Sequence, residues 1–461
     1  MVEHVRPDLR VPTSIHVVGV GGAGMSAIAT VLAGMGHRVS GSDLKESAGL
    51  ERLRALGVEV HIGHAAENLA PDLRYVTVST AIPDSNLEVR LARERGIPVL
   101  RRAEILAGIA ACRQTVAVAG THGKTTTSSM LALALRAAGL HPSFIIGGDV
   151  NEIGSGAVWD EGEWFVVEAD ESDGTFLELP RLAGVVTNVE PDHLEFYGSV
   201  AALEAAFERF LAETPGPRVV CADDDVALRL GRACGAITYG TAEGADWRMV
   251  DLVCSASGST FALHEGGREL GRVQLPVAGA HNARNACAAL VTALVLGAPF
   301  DAAAGALSRF AGVARRFEHR GEVGGITFID DYAHLPSEVR AALAAARAGG
   351  WRRIVCVFQP HRYSRTAALW RDFGDAFEDA DVVVLTDVYP AGEAPRPGVS
   401  GRLLVHAVLD AHPWARVVYL PRRSDLVPFL RQELRPGDLC LTLGAGDLSS
   451  LADELREVLA R

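Results

Sequence analysis

An apolar run at 115–119 ends in Gly120-Thr121-His122-Gly123-Lys124-Thr125-Thr126-Thr127, and a helical stretch at 128–138 follows at once. Strand, loop of small residues and helix, in that order, predict an α/β sheet in which backbone N–H groups and a helix N-terminus converge on an anion. Lys124 sets a fixed positive charge beside them, and Thr125 can offer its hydroxyl to Mg²⁺. The Gly-Lys-Thr order therefore points to a triphosphate more strongly than glycine content does. A standard loop of this kind has a further glycine five residues before its Gly-Lys pair, and Val118 stands there instead. A plain strand-turn-helix connection is the competing reading.

The chain has 461 residues, too many for one core, and at roughly 150 residues per domain about three domains are expected. Residues 14–20 read as a strand running into Gly19-Val20-Gly21-Gly22-Ala23-Gly24, then a helix at 25–34 and a strand at 37–40. The G-x-G-x-x-G spacing is complete, and Asp43 lies where dinucleotide folds hold a ribose hydroxyl. Alone, this suggests a nicotinamide cofactor. With a phosphate loop a hundred residues on, the same helix-terminus physics serves equally for a nucleotide-linked substrate, and a tight structural turn remains open. Strands at 75–79 and 97–100 and a helix at 101–111 complete this domain. Strand-helix alternation continues through 164–168, 184–189 and 218–221, gives way to β-rich sequence at 247–276 with turns at Ser257-Gly258 and Gly266-Gly267, and resumes after Arg316 with strands at 326–329, 353–358, 382–386, 417–420 and 439–443. The expected architecture is α/β in three domains: a Rossmann-like one at 1–111, a P-loop ATPase-type one with a β-rich extension at 112–315, and a Rossmann-like one at 316–461.

A net charge of -13 argues against a general nucleic-acid or anionic-membrane binder, though a local basic pocket can sit inside an acidic shell. Seven dispersed cysteines without a C-x-x-C pair suit a reducing compartment. A polar N-terminus and the lack of an 18-residue apolar run predict a soluble, cytoplasmic protein without membrane insertion.

Open α/β sheets hold ligands at strand carboxyl ends, and polar groups gather there. The strand 164–168 delivers Glu168 and the acidic run to Asp173, making Glu168 the best magnesium candidate, against a solvated acidic loop. After the strand 184–189 comes His193, a possible second ligand or an ordinary loop histidine. His281-Asn282-Ala283-Arg284-Asn285 opens an apolar helix at 286–296; Asn282 could cap it, or Asn282 and Asn285 could match an adenine edge. Asp330-Asp331-Tyr332-Ala333-His334 and Gln359-Pro360-His361-Arg362-Tyr363-Ser364-Arg365-Thr366 end two strands expected to lie near each other, and Arg362 and Arg365 suit carboxylates or phosphates, or are surface arginines.

Taken together, these motifs, with Arg315-Arg316-Phe317-Glu318, resemble the Mur ligases in order and over essentially the whole chain. The segments at 16–22, 358–365 and 387–393 are most similar to the branch that joins L-alanine to UDP-N-acetylmuramate. The resemblance implies a first domain that holds the UDP-sugar through Gly21, Gly22 and Gly24, with Asp43, His64, Ser79, Thr80 and Ala81 as further contacts, and no hydride transfer. It implies ATP at Gly120, Thr121, His122, Gly123, Lys124, Thr125 and Thr126, with His281, Asn282 and Asn285 near adenine and Arg316 and Asp331 reaching the nucleotide. Two Mg²⁺ ions are implied, one on Thr125 and Glu168 and a second on His193. Tyr332, His334, His361, Arg362 and Arg365 would surround L-alanine, making Lys124, Glu168, His193, His334, Arg362 and Arg365 the catalytic set. A carboxylate resists attack by an amine, so ATP would first convert it to an acyl phosphate, and His193 or His334 could accept the amine proton.

Two positions depart from the family. Other Mur ligases carry a carbamylated lysine about fourteen residues after the Asp-His pair, where this chain has Phe207, an absence shared by the L-alanine branch. Leu335 stands where these ligases usually show a second histidine. A sister ligase that attaches a preformed peptide to the same UDP-sugar is the nearest alternative, and a nicotinamide-dependent oxidoreductase is the alternative from another class.

Overall fold

A computed structural model describes residues 7–255 and 258–460. The first sheet comprises β1 (Ser14–Val18), β2 (Arg38–Asp43), β3 (Glu59–Ile62), β4 (Tyr75–Val78) and β5 (Val99–Arg101), in the order β3-β2-β1-β4-β5 and parallel throughout. The chain reverses its winding between β1 and β4, so a crevice opens beyond their carboxyl ends. The glycine-rich turn after β1 lies there, and a Cβ on Gly19 would come within 3.0 Å of Ser79 beyond β4.

The second sheet has ten strands: β6 (Gln114–Ala119), β7 (Ser143–Val150), β8 (Ser155–Val158), β9 (Trp164–Glu168), β10 (Ala183–Val186), β11 (Arg218–Cys221), β12 (Ile237–Gly240), β13 (Trp247–Ser255), β14 (Gly258–Glu265) and β15 (Arg268–Leu275). Their order is β15-β14-β13-β12-β11-β10-β6-β9-β7-β8. β6 runs parallel between β10 and β9, with Val118 opposite Glu168 and Ala119 opposite Val186. This register brings the turn at 120–123, the acidic run after Glu168 and the loop after Val186 to one edge. Near-continuous Val and Ala in β6, all buried after Gln114, are what a strand covered on both faces requires.

The third sheet is β16 (Glu318–Val323), β17 (Ile326–Asp331), β18 (Arg353–Phe358), β19 (Val382–Leu385), β20 (Val417–Tyr419) and β21 (Asp438–Leu443), ordered β16-β17-β21-β18-β19-β20. β16 is antiparallel to β17 and the other pairings are parallel. β21 lies between β17 and β18, and the loops beyond those two strands meet, as expected.

The chain forms two compact units, one of Met1–Val250, Ala262–Val273 and Arg284–Arg309, the other of Asp251–Phe261, Gln274–Ala283 and Phe310–Arg461. Within the first, Ile28 and Leu32 share a hydrophobic cluster with Ile145, Ala157 and Phe165, and Trp159 packs against it. Gly34 has no room for a side chain there, since a Cβ would lie 2.9 Å from Trp159. The change of sheet at Cys112 is thus no break in packing. Several helices start earlier than their apolar periodicity suggests: the one expected at 128–138 spans Lys124–Ala137, and the one expected at 286–296 spans Ala280–Val295. The turn at Gly266-Gly267 joins β14 to β15, whereas Ser257 lies outside the described residues.

Candidate active site

In the first sheet's crevice, Gly19 turns the chain with φ +80°, and Gly19 and Val20 donate to the Ser42 carbonyl at 2.8 and 3.1 Å. Gly21 N–H donates to Asp43 Oδ2 at 2.8 Å, an approach a Cβ on Gly21 would block. Asp43 Oδ1 accepts from Leu44 N–H at 2.7 Å, so both carboxylate oxygens are engaged by backbone N–H groups, one of them from the turn. Gly22 precedes the helix Ala23–Gly34 without a side-chain cap, which leaves that helix N-terminus to a ligand. Gly21, Gly22, Asp43, His64, Ser79 and Ala81 line one cleft with Lys45 and Ser47. Gly24 instead meets Arg102, whose Nε lies 3.1 Å from where a Cβ would stand, and Thr80 is exposed beside the cleft. Neither Lys45 nor Arg102 carries a motif signal, since a lone basic residue is uninformative until the fold brings it to the turn.

Beneath the cleft lies Glu88, fully buried, which no motif in the sequence singles out. It accepts from Ser42 Oγ at 2.6 Å, Asn68 Nδ2 at 2.6 Å and Ala65 N–H at 3.2 Å, and lies 3.1 Å from His64 Nδ1. Burial alone would raise its pKa, but His16, with Nε2 3.6 Å away, and hydrogen bonds from Ser42 and Asn68 hold it down at about 2. A carboxylate can only accept, so His64 keeps its Nδ1 proton on Glu88, which leaves Nε2 as its other ring nitrogen.

The phosphate loop is clamped by the loop after β10. Asn188 Oδ1 accepts from His122 N–H at 2.8 Å, its Nδ2 donates to the His122 carbonyl at 3.0 Å, and Thr187 Oγ1 donates to that carbonyl at 2.5 Å. Gly120 and Gly123 have φ +129° and +80°, and a Cβ on Gly123 would stand 2.3 Å from Asn285 Oδ1. Gly123→Ala therefore combines a disfavoured backbone with a direct clash; an increase of about 10-fold or more in the Kd for nucleotide, measured by calorimetry, is the expected result. Lys124 Nζ donates to Gly120 O at 2.7 Å and lies 2.9 Å from both oxygens of Glu171. Burial works against its charge, yet Glu171 and Asp170 outweigh that and raise its pKa. Asp170 is held low against burial chiefly by Lys124. Glu171, buried to 1% exposure, is the second residue the sequence reading passed over, because a strand-end acidic run does not show which carboxylate turns inward. Thr125 and Thr126 are buried in the first turn of the helix.

Glu168, at the end of β9, accepts from Gly147 N–H at 2.6 Å, and the bare Cα of Gly147 leaves its carboxylate room. A hydroxyl and a carboxylate are the hard oxygen donors Mg²⁺ takes, with phosphate oxygens and water completing its shell, so Thr125 and Glu168 fit that ion. His193, at φ +54°, has Asp192 Oδ2 at 3.2 Å from Nε2 and Glu195 Oε1 at 3.8 Å from Nδ1. Among the described residues no three His, Cys, Asp or Glu side chains form a metal-holding group by themselves. Phe207 is fully buried with its ring centroid 5.4 Å from that of Phe176, an apolar setting in which a carbamate has no place.

Asn282 lies inside the helix Ala280–Val295 and donates from Nδ2 to Ala278 O at 2.8 Å, so it does not cap a helix beginning at Ala286. Asn285 is the amide that reaches the phosphate loop, at Gly123. His281 sits at the same helix start, its ring packed against Gly279.

In the third sheet, Asp331 accepts from Phe317 N–H and Ala333 N–H, both at 2.7 Å, and so fixes the turn that carries Arg316. Burial raises its pKa to about 6 against the field of Arg316. The Arg316 guanidinium lies 5.0 Å from the Tyr332 ring centroid. The Tyr332 ring meets His334 at 5.4 Å, His334 meets His361 at 5.8 Å, and His361 stacks on Tyr389 at 5.8 Å. His334 Nδ1 is 3.0 Å from Tyr332 O, an obligate acceptor, so that nitrogen carries a proton. Arg365 Nη1, an obligate donor, lies 3.1 Å from His361 Nδ1, so His361 carries its proton on Nε2; burial, with the fields of His334, Arg365 and Arg362, lowers its pKa to about 3. Arg362 Nε is buried without a hydrogen-bond partner, as a site awaiting an acceptor would leave it. Leu335 is buried at 4% exposure and belongs to the packing.

Residues 14–114 match the family description "Mur ligase family, catalytic domain", 118–293 "Mur ligase middle domain" and 315–446 "Mur ligase, glutamate ligase domain". The chain is 46% identical to the UDP-N-acetylmuramate–L-alanine ligase of Pelotomaculum thermopropionicum, covering 96% of each chain. It is 48% identical to that of Rubrobacter xylanophilus, covering 96% of this chain and 99% of the other. The crystal structure of UDP-N-acetylmuramate-alanine ligase from Thermotoga maritima superposes with a TM-score of 0.80 at 29% identity, covering 97% of this chain and 99% of the other. A murein peptide ligase from Psychrobacter arcticus shares the fold, with a TM-score of 0.71 at 23% identity over 97% of this chain and 99% of the other. With the domains of one family matched in order along its length and relatives at nearly half identity, this three-domain α/β enzyme belongs to the Mur ligase family.

Proposed function

We propose that the enzyme joins L-alanine to the lactyl carboxylate of UDP-N-acetylmuramate at the expense of ATP, giving the amide, ADP and phosphate in peptidoglycan precursor synthesis. The observation that carries this reading is the full-length similarity to L-alanine ligases, at 46% and 48% identity. The first sheet's cleft would receive the UDP-sugar on backbone N–H groups and the helix N-terminus at Gly22. The phosphate loop would receive ATP, with Lys124 exchanging Glu171 for the terminal phosphates. Mg²⁺ bound at Thr125 and Glu168, with a further ion at His193, would supply charge neutralisation on the phosphoryl oxygens.

Attack of the lactyl carboxylate oxygen on the γ-phosphorus would form the acyl phosphate and release ADP, while Lys124 offsets the developing charge. The L-alanine carboxylate would pair with Arg362 and Arg365 so that its amine faces the acyl carbon. Attack by the neutral amine and loss of phosphate then give the amide. His193 has carboxylate oxygens near both ring nitrogens, and His361 accepts from Arg365, so neither suits proton abstraction. His334, protonated on Nδ1, keeps Nε2 as its basic nitrogen and is the base we assign. No helix among the described residues is long and apolar enough to cross a membrane, in keeping with work on soluble precursors in the cytoplasm.

Phosphate release with ATP, Mg²⁺ and UDP-N-acetylmuramate, adding L-alanine, D-glutamate or the L-Ala-D-Glu-containing tripeptide in turn, tests this. Release that needs both the sugar and L-alanine is expected. Release with the tripeptide alone assigns the enzyme to peptide recycling, and release without the sugar reduces it to a nucleotide hydrolase.

A further inference from the structure

Arg362 stands directly before the helix Tyr363–Leu369 with φ +67° and ψ 136°, a backbone region that belongs to glycine. Side chains do not hold such a conformation unless the surroundings impose it, and here they do so from two sides. Arg362 N–H donates to Tyr389 O, and Tyr389 N–H donates to Pro360 O, each at 2.8 Å. Two residues further on, Ser364 is gripped by Glu393: Oε2 accepts from Ser364 N–H at 2.9 Å and Oε1 from Ser364 Oγ at 2.5 Å. Arg362 supplies no side-chain cap of its own to that helix. The carboxylate that caps it comes from 29 residues away, on the loop that also stacks Tyr389 on His361. The consequence is a guanidinium whose Nε is buried and unpartnered.

We infer that Glu393 is a positioning residue for the amino-acid subsite: by capping the helix at Ser364 it keeps Arg362 in its strained backbone conformation, and so keeps the guanidinium, with its buried Nε, aimed at the carboxylate of the incoming amino acid. The inference rests on the reading of this site as the L-alanine subsite. Glu393 itself touches no reacting atom in this account; it acts through Ser364 and Arg362.

The test is steady-state kinetics of the full chain, varying each of the three substrates, for wild type, Glu393→Ala, Glu393→Gln and Ser364→Ala, with melting temperatures alongside. A glutamine can accept from Ser364 N–H through Oε1 and donate to Ser364 Oγ through Nε2, so it preserves the cap without the charge. Glu393→Ala is expected to raise the KM for L-alanine about 30-fold, as a small misplacement of a substrate-holding group does, with the KM values for ATP and UDP-N-acetylmuramate within about 2-fold of wild type. Glu393→Gln should restore the L-alanine KM to within about 3-fold, and Ser364→Ala, which keeps the backbone bond, should fall between. Equal losses in the alanine and glutamine variants would overturn the inference by making the charge the agent. So would losses shared by all three substrates, or losses in kcat that merely follow a falling melting temperature. If Glu393→Ala does not fold, the ordering of Glu393→Gln and Ser364→Ala decides the matter. A wild type indifferent to L-alanine would refute the reading of the subsite itself, a result visible before any variant is measured.

Discussion

Lys124→Ala should lower kcat by roughly 10³-fold while the protein still binds UDP-N-acetylmuramate, because the first sheet's cleft contains no part of the phosphate loop. In the proposed reading Lys124 would carry positive charge to the terminal phosphates, in a setting where charge is worth far more than in water. Its ammonium is also the partner of a carboxylate with a side chain only 2% exposed, Glu171, at 2.9 Å. Removing the ammonium leaves Glu171 buried and unpaired beside Asp170, a change that costs several kcal/mol in buried pairs, about 3 or more. The single variant should therefore lose melting temperature as well as activity. Lys124→Ala combined with Glu171→Gln separates the two effects: stability returns most of the way and turnover does not. If activity returned with stability, the lysine would be a structural ion-pair partner only.

Glu88→Ala is expected to give the largest loss of stability, about 3–5 kcal/mol, since Ser42, Asn68, Ala65 and His64 would lose their acceptor in a site with no exposure. The pH dependence has a definite sign. Glu88 has a folded pKa of about 2 against an ordinary 4.5, so its ionised form is favoured by folding, and the unfolded chain binds the proton first as pH falls. The stabilisation is complete above about pH 5.5 and disappears as pH falls from 4.5 towards 2. Urea melts of wild type and Glu88→Gln at pH 7, 4.5 and 3 should show a gap that narrows with acid. A gap that stayed constant would mean the carboxylate charge contributes nothing. Because His64 lines the cleft and leans on Glu88, the variant should also bind UDP-N-acetylmuramate less tightly, which calorimetry would register.

The local grammar of strand ends made much of this arrangement legible. The strand-turn-helix at Gly120 to Thr127 could be read because glycines follow an apolar run, and β6 stops at Ala119 where they begin. Glu168 could be read likewise, as the last residue of β9. Glu171 and Glu88 could not: both are buried acids whose partners Lys124 and Ser42 lie 47 and 46 residues away, and only the fold brings them together. Asn282 was ambiguous because an amide after a loop looks like a cap, whereas the helix had already begun at Ala280. Paired short strands such as β7 and β8 escaped notice since Gly147, Gly148 and Gly156 dilute their apolar alternation. The meeting of His334 and His361 was expected from two strand ends lying near each other; β21 lies between those strands, and it is the loops beyond them that bring the rings together.

The central claim is that the lactyl carboxylate is phosphorylated and then captured by L-alanine. UDP-N-acetylmuramate labelled with ¹⁸O in that carboxylate, turned over with ATP, Mg²⁺ and L-alanine and analysed by mass spectrometry, tests it most directly. The account predicts one ¹⁸O transferred to each phosphate released and one retained in the amide product. Unlabelled phosphate, or phosphate formed at the same rate without L-alanine, would contradict it.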